Sequence, residues 1–181
     1  MTEPYPPQGE VGEILFSAEA IADRVAELGR QISEDFAGRT PLLIGVLKGS
    51  AIFVADLVRA IPAPVRLDFL AVSSYGEATK SSGVVKILKD LDQQISDQPV
   101  ILVEDIIDSG LTMRFLVDHL QAQQPSDLRT CSLLVRNSAE TDGIGLDYVG
   151  FRIPPAFVVG YGLDVGQRYR NLPYIATFIG S

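Results

Sequence analysis

Val100-Ile101-Leu102-Val103-Glu104-Asp105-Ile106-Ile107-Asp108-Ser109-Gly110-Leu111-Thr112 is the stretch that decides how the chain folds. Four consecutive apolar residues form the kind of short run that fills a strand buried on both faces. Two adjacent carboxylates then follow at the carboxyl end of that strand, where open α/β sheets bind ligands. Ser109, Gly110 and Thr112 lead directly into a helical pattern. Gly110 lets backbone approach a ligand closely, and the N–H groups at a helix start favour an anion. The order therefore supplies carboxylates for hydroxyl groups first and a phosphate cradle second. Taken alone, the same residues are equally consistent with two solvated carboxylates and a serine that caps a helix.

Outward from this stretch, apolar runs alternate with helical segments. Ser17 is placed as a helix N-cap, with Glu19 in the first turn. Ile21, Val25, Leu28, Ile32 and Phe36 then recur at helical spacing, and the helix ends near Gly38. Pro41 to Leu47 is a strand candidate, followed by Lys48-Gly49-Ser50 and a helical stretch through Ala60. Val65 to Val72 and Val85 to Leu88 are further strand candidates, separated by a polar segment, Ser73 to Gly83, read as a mobile loop. A helix from about Thr112 to Gln123 places Met113, Leu116, Val117 and Leu120 on one face, and Leu128 to Val135 closes the alternating section. Strands alternating with helices predict an α/β fold, a parallel sheet flanked by helices. Asp147 to Phe151, Phe157 to Tyr161 and Tyr174 to Phe178 read as short strands of a small lobe over one sheet edge, built mainly from about 147–181. Met1 to Gly12 reads as a loose tail. No linker or repeat divides residues 1–181, so a single domain is expected.

The net charge of −8 works against nucleic acid or an anionic membrane as partner, because like charges repel. A phosphate ligand must then be held by local devices such as backbone N–H groups and metal ions. The single cysteine, Cys131, lies in an apolar run and reads as a core residue. No zinc-ligand spacing, signal-peptide pattern or membrane-length apolar stretch is present, so a soluble cytoplasmic protein is expected.

The segment from Val100 to Thr112 resembles the phosphoribosyl pyrophosphate-binding motif of the type I phosphoribosyltransferases, in which two acidic residues precede an Asp-Thr/Ser-Gly-x-Thr loop. The resemblance extends along most of the chain and is to the hypoxanthine-guanine branch. Leu47-Lys48-Gly49-Ser50 is similar to that family's pyrophosphate loop, which often has a cis peptide at the Lys-Gly step. Ser73-Ser74-Tyr75-Gly76 resembles the start of its flexible active-site loop, and Lys89-Asp90-Leu91-Asp92 a further family segment. Phe157 to Asp164, with Arg170 beyond, is similar to its purine-binding hood.

The resemblance implies a type I phosphoribosyltransferase-like sheet with a small hood lobe and transfer of phosphoribosyl from phosphoribosyl pyrophosphate to a 6-oxopurine, with Mg2+. It implies that Glu104 and Asp105 bind the ribose hydroxyls directly or through a magnesium ion, and that Asp108 is the acid/base for the purine N7 proton. Ser109, Gly110, Leu111 and Thr112 would cradle the 5′-phosphate. Lys48, Gly49 and Arg170 would meet the pyrophosphate, and Asp164 a second magnesium. Phe157 would stack on the purine and Val158 read its edge, while Ser74 and Tyr75 would close over the site. It also implies a homo-oligomer, dimer or tetramer. Each role has a plainer rival: Lys48 as a surface lysine, Phe157 as core, Asp164 as a turn residue. His119 reads as structural or solvated, and Arg114 as either solvent-facing or part of a subunit contact. One departure is clear. Where the family places a lysine that donates to the purine 6-oxo group, this chain has Arg136, and the arginine that commonly follows is absent from Asn137 to Glu140. A planar fork is not a compact ammonium. That departure is the one support for a second reading, a regulatory protein that keeps the fold without turnover. A third, a receiver-type phosphate-binding domain, would explain Asp108 but not the hood.

Overall fold

The computed structural model describes residues 9–74, 85–137 and 145–180. Its elements, in chain order, are β1 (Gly9–Phe16), α1 (Ala18–Asp35), β2 (Leu42–Leu47), α2 (Ala51–Ala60), β3 (Arg66–Ser74), β4 (Val85–Lys89), β5 (Pro99–Ile107), α3 (Leu111–Gln121), β6 (Asp127–Arg136), β7 (Tyr148–Ile153), β8 (Val158–Val159) and β9 (Ile175–Gly180). Six strands form one sheet in the order β4-β3-β2-β5-β6-β7. Strands β3, β2, β5, β6 and β7 run parallel, and β4 closes the edge antiparallel to β3.

Strand β5 is central, and its alternation sorts the core. Ile101 and Val103 pack with α1 (Ile21, Val25, Leu28, Ile32) and α2 (Phe53, Val54, Leu57) on one face. Val100 and Leu102 pack with Met113, Leu116 and Leu120 of α3 on the other. Helix α1 begins where expected: the Ser17 side chain accepts from the Ala20 N–H at 3.3 Å. Cys131 is fully buried, as its apolar run predicted.

Two boundaries differ from the sequence reading. The last four residues of the expected tail, Gly9 to Gly12, open a strand, Gly9–Phe16, that pairs antiparallel with β9, from Gly9 opposite Gly180 to Phe16 opposite Ile175. None of its residues is fully buried and its exposure runs in pairs, the pattern of a strand in a small sheet ordered β1-β9-β8 rather than of a core strand. The hood is therefore built from both ends of the chain. Conversely, Tyr148–Ile153 is not hood. It pairs parallel with β6 and extends the main sheet, Leu134 lying opposite Phe151. The preceding sequence carries no helical apolar period, and so disguised it as a strand of the small lobe.

The non-proline cis peptide falls at Leu47–Lys48, one step before the Lys-Gly position the resemblance implied. Of the expected loop from Ser73 to Gly83, only the first two residues, which end β3, are described. Tyr75 lies outside the described residues, as do Ser138, Ala139 and Glu140. Among the described residues no helix is long and apolar enough to cross a membrane.

Candidate active site

Strand β5 delivers Glu104 and Asp105 to the carboxyl edge of the sheet, and the chain turns there into α3. Gly110 is the N-cap of that helix with φ 75°, a left-handed conformation that a β-carbon disfavours. The turn and the carboxylates enclose a cavity of about 200 Å³ lined by Gly49, Glu104, Asp105, Asp108, Ser109, Gly110 and Thr112, with Val46, Leu47 and Met113 as its apolar wall. Both carboxylates thus share one pocket with the hydroxyl-bearing turn. Gly49 is locked against Asp105, because a β-carbon on it would overlap the Asp105 carboxylate.

A second cavity of about 210 Å³ adjoins the first, sharing Asp105 and Ile106, and is lined by Arg136, Phe157, Val158, Leu163 and Asp164. Phe157 is 52% exposed and meets Phe178 edge-on at 6.1 Å, so most of one ring face is open to a flat ligand. Arg136, at the end of β6, reaches across so that its Nε lies 2.8 Å from Asp108 Oδ1. Arg170 Nη2 lies 2.7 Å from Asp164 Oδ1, while its Nη1 donates to the Gly162 carbonyl at 2.6 Å. The Gln167 N–H donates to Asp164 Oδ2 at 2.7 Å, and Lys48 Nζ to Gln167 Oε1 at 3.4 Å.

Electrostatically the first cavity is short of cations. Burial, and then the neighbouring Asp105, push the Glu104 carboxyl up to about 8. Burial also raises Asp105, to about 6, although backbone N–H groups and Arg170 pull the other way. Such carboxylates suit an oxygen-seeking divalent cation. Among the described residues no three His, Cys, Asp or Glu cluster as a ready-made metal cage. The residues fit an ion that takes one or two carboxylates and completes its shell with ligand oxygens and water, as magnesium does.

The raised carboxyl has a consequence for the metal-free protein. A carboxyl whose folded value exceeds its unfolded value binds its proton more tightly when native. Stability from this source is then present below about pH 4.5 and lost as pH rises toward about 8. Thermal unfolding in chelator is expected to show Tm falling from pH 5 to 8.5 by on the order of 5–10 °C. Glu104→Gln, which cannot ionise, flattens that slope; an equally steep slope in the variant would sink the assignment.

Gly49, Glu104, Asp105, Asp108, Ser109, Gly110 and Thr112 thus meet in one cavity, and Arg136, Phe157, Val158 and Asp164 in its neighbour. Lys48 and Arg170 line neither; they stand behind, tied to the hood turn. The Leu111 side chain is 42% exposed, so any part it plays is through its backbone. Sequence reasoning missed Ile106, which walls both cavities, and Gln167, which joins Lys48 to the Asp164 turn. Its position between Asp105 and Asp108 was a signal for Ile106; nothing marked Gln167.

The phosphoribosyl transferase domain family has a model that matches residues 12–165, and the chain belongs to that family. A hypoxanthine-guanine phosphoribosyltransferase of Mycobacterium tuberculosis is 51% identical, covering 97% of this chain and 89% of its own length. One from Bacillus subtilis is 46% identical, covering 93% of each. Among solved structures, a hypoxanthine-guanine phosphoribosyltransferase of Bacillus anthracis with a HEPES molecule in its active site is 47% identical with a TM-score of 0.88, covering 94% of this chain and all of that one.

Proposed function

We propose that this protein is a hypoxanthine-guanine phosphoribosyltransferase, which transfers the phosphoribosyl group of phosphoribosyl pyrophosphate to N9 of a 6-oxopurine and releases pyrophosphate. The observation that carries the reading is the pair of adjoining cavities with Asp105 and Ile106 as their common wall. One offers carboxylates and a helix-start anion cradle for a ribose 5′-phosphate; the other offers an open aromatic face and a cation for a base. The reacting C1′ and N9 then meet at the shared wall.

Glu104 and Asp105 hold the ribose 2′- and 3′-hydroxyls, and Ser109 to Thr112 receive the 5′-phosphate through backbone N–H groups and hydroxyls. Lys48, Gly49 and Arg170 serve the pyrophosphate end. As the C1′–O bond breaks, positive character builds on the ribose and negative charge on the leaving group. Magnesium, held by Glu104 and Asp105 and at a second position by Asp164, supplies compensation for that charge when bound. Phe157 stacks on the purine, the Val158 backbone reads its edge, and Arg136 donates to the 6-oxo oxygen. Asp108 handles the N7 proton. The protein works in the cytoplasm, in purine salvage, as a dimer or tetramer.

With Mg2+ and phosphoribosyl pyrophosphate, hypoxanthine is expected to give nucleotide by absorbance, whereas adenine gives at least about 100-fold less. The donor at Arg136 meets a carbonyl in the first case and an opposing amino group in the second, at a cost of about 3 kcal/mol or more. Equal turnover of adenine, or none of hypoxanthine, would falsify the assignment.

A further inference from the structure

Tyr161 stands in the middle of the hood turn with φ 50°, a left-handed conformation uncommon for a bulky residue, and it is only 7% exposed. Gly160 (φ 100°) and Gly162 (φ 101°) flank it. A β-carbon on Gly162 would strike the Gly49 carbonyl, just as one on Gly49 would strike Asp105. Hood turn, pyrophosphate loop and β5 tip are therefore stacked without an intervening side chain, and a slip of the turn is felt directly by the loop beneath it.

Two hydrogen bonds hold Tyr161 in place. Its N–H donates to the Leu172 carbonyl at 2.8 Å, which keeps the turn together. Its hydroxyl donates to Asp56 Oδ2 at 2.5 Å, which ties the turn to something else. Asp56 lies on α2, the helix that starts immediately after Lys48-Gly49-Ser50. The phenol thus links the turn that carries Val158 and Asp164 to the helix that carries the pyrophosphate loop. Burial, with Asp56 adding to it, pushes the phenol well above its ordinary value, so the hydroxyl remains a donor across the working pH range. Neither side chain lines either cavity of the site.

We propose that Tyr161 and Asp56 are a positioning pair that sets the register of the base-holding hood against the pyrophosphate loop, and through it the alignment of purine N9 with C1′. This rests on the function proposed above. Each substrate is gripped mainly by its own set of residues. Slack between the sets therefore leaves each binding event intact and is felt when the two reacting atoms must meet.

The test compares Tyr161→Phe, Asp56→Ala, Asp56→Asn and the Tyr161→Phe/Asp56→Ala double variant, each titrated to folded active sites. Nucleotide formation is followed in a single turnover, because product release can mask chemistry in steady state. Tyr161→Phe and Asp56→Ala are expected to slow that step by about 10–100-fold, with the affinities for phosphoribosyl pyrophosphate and hypoxanthine within about threefold of wild type. The double variant should lose no more than the worse single, since both break one bond. Asp56→Asn keeps an acceptor and forfeits only an exposed ion pair with Arg59, so it should stay within about threefold of wild type. A merely structural pair would lower Tm while leaving the rate per folded site alone. That result, additive losses, or Asp56→Asn as slow as Asp56→Ala, overturns the inference. Wild-type protein that fails to turn over hypoxanthine removes the functional reading and this inference with it. Normal single-turnover rates in Tyr161→Phe beside an active wild type remove the inference alone.

Discussion

Asp108→Asn is expected to lower turnover of hypoxanthine by about 10²–10⁴-fold while affinity for phosphoribosyl pyrophosphate moves by no more than about threefold. Asparagine keeps the shape and one acceptor oxygen but can neither take nor return a proton. Asp108 sits past the end of β5, with its side chain 74% exposed, and faces Arg136 from the floor of the sugar cavity toward the base cavity. On the proposed function a group placed there meets the base as it enters and leaves, whereas Glu104, Asp105 and the turn from Ser109 to Thr112 would keep their hold on the sugar phosphate. Steady-state rates and calorimetric titration with phosphoribosyl pyrophosphate separate the two effects. If rate and affinity fall together, Asp108 is a binding residue and the proton-handling role fails. The asparagine also removes the anion from Arg136, so the affinity for hypoxanthine reports on that partner independently of the chemistry.

The local devices of this protein were legible in its sequence, and the long-range ones were not. Val100 to Val103, the carboxylates behind them and Gly110 before α3 announce strand, site and turn through neighbours in the chain. So does the stripe from Ile21 to Phe36. Strand β1 has no such voice. Its partner β9 lies at the opposite end of the chain, and its residues are exposed or only partly buried in pairs rather than in alternation, so no period of two separates it from a loose tail. Strand β7 misled for a related reason: parallel neighbours in a sheet are usually joined through a helix, and without a helical pattern ahead of it the strand read as part of the small lobe. Within the site the carboxylates, the Ser109–Thr112 turn and Phe157, Val158 and Asp164 of the hood were visible as types in order, while Ile106 and Gln167 were not. The Arg136–Asp108 contact was not, because it joins the tips of two adjacent strands whose side chains meet only after the sheet has formed. Tyr161, Gln167 and Tyr169 adopt positive φ without being glycine, a conformation imposed by packing rather than declared by residue type.

Gly49→Ala is expected to lose at least about 100-fold in turnover together with at least about 30-fold in affinity for phosphoribosyl pyrophosphate. The added β-carbon would overlap the Asp105 carboxylate, and the two ways to relieve it are both harmful. If Asp105 rotates away, the first cavity loses one of the carboxylates that line it and part of the wall it shares with its neighbour. If the loop retreats instead, its carbonyl moves against Gly162, where the hood turn already rests. The obstacle is a side chain at the rim of the sheet rather than the core beneath it, so the variant is expected to fold, with the far-ultraviolet spectrum unchanged. Gly145→Ala is the matched control. A β-carbon there meets nothing within 4 Å, and turnover should stay at the wild-type level. Wild-type affinity for phosphoribosyl pyrophosphate in Gly49→Ala would mean that Asp105 is free to leave its place without cost. The carboxylate would then not be holding the ribose.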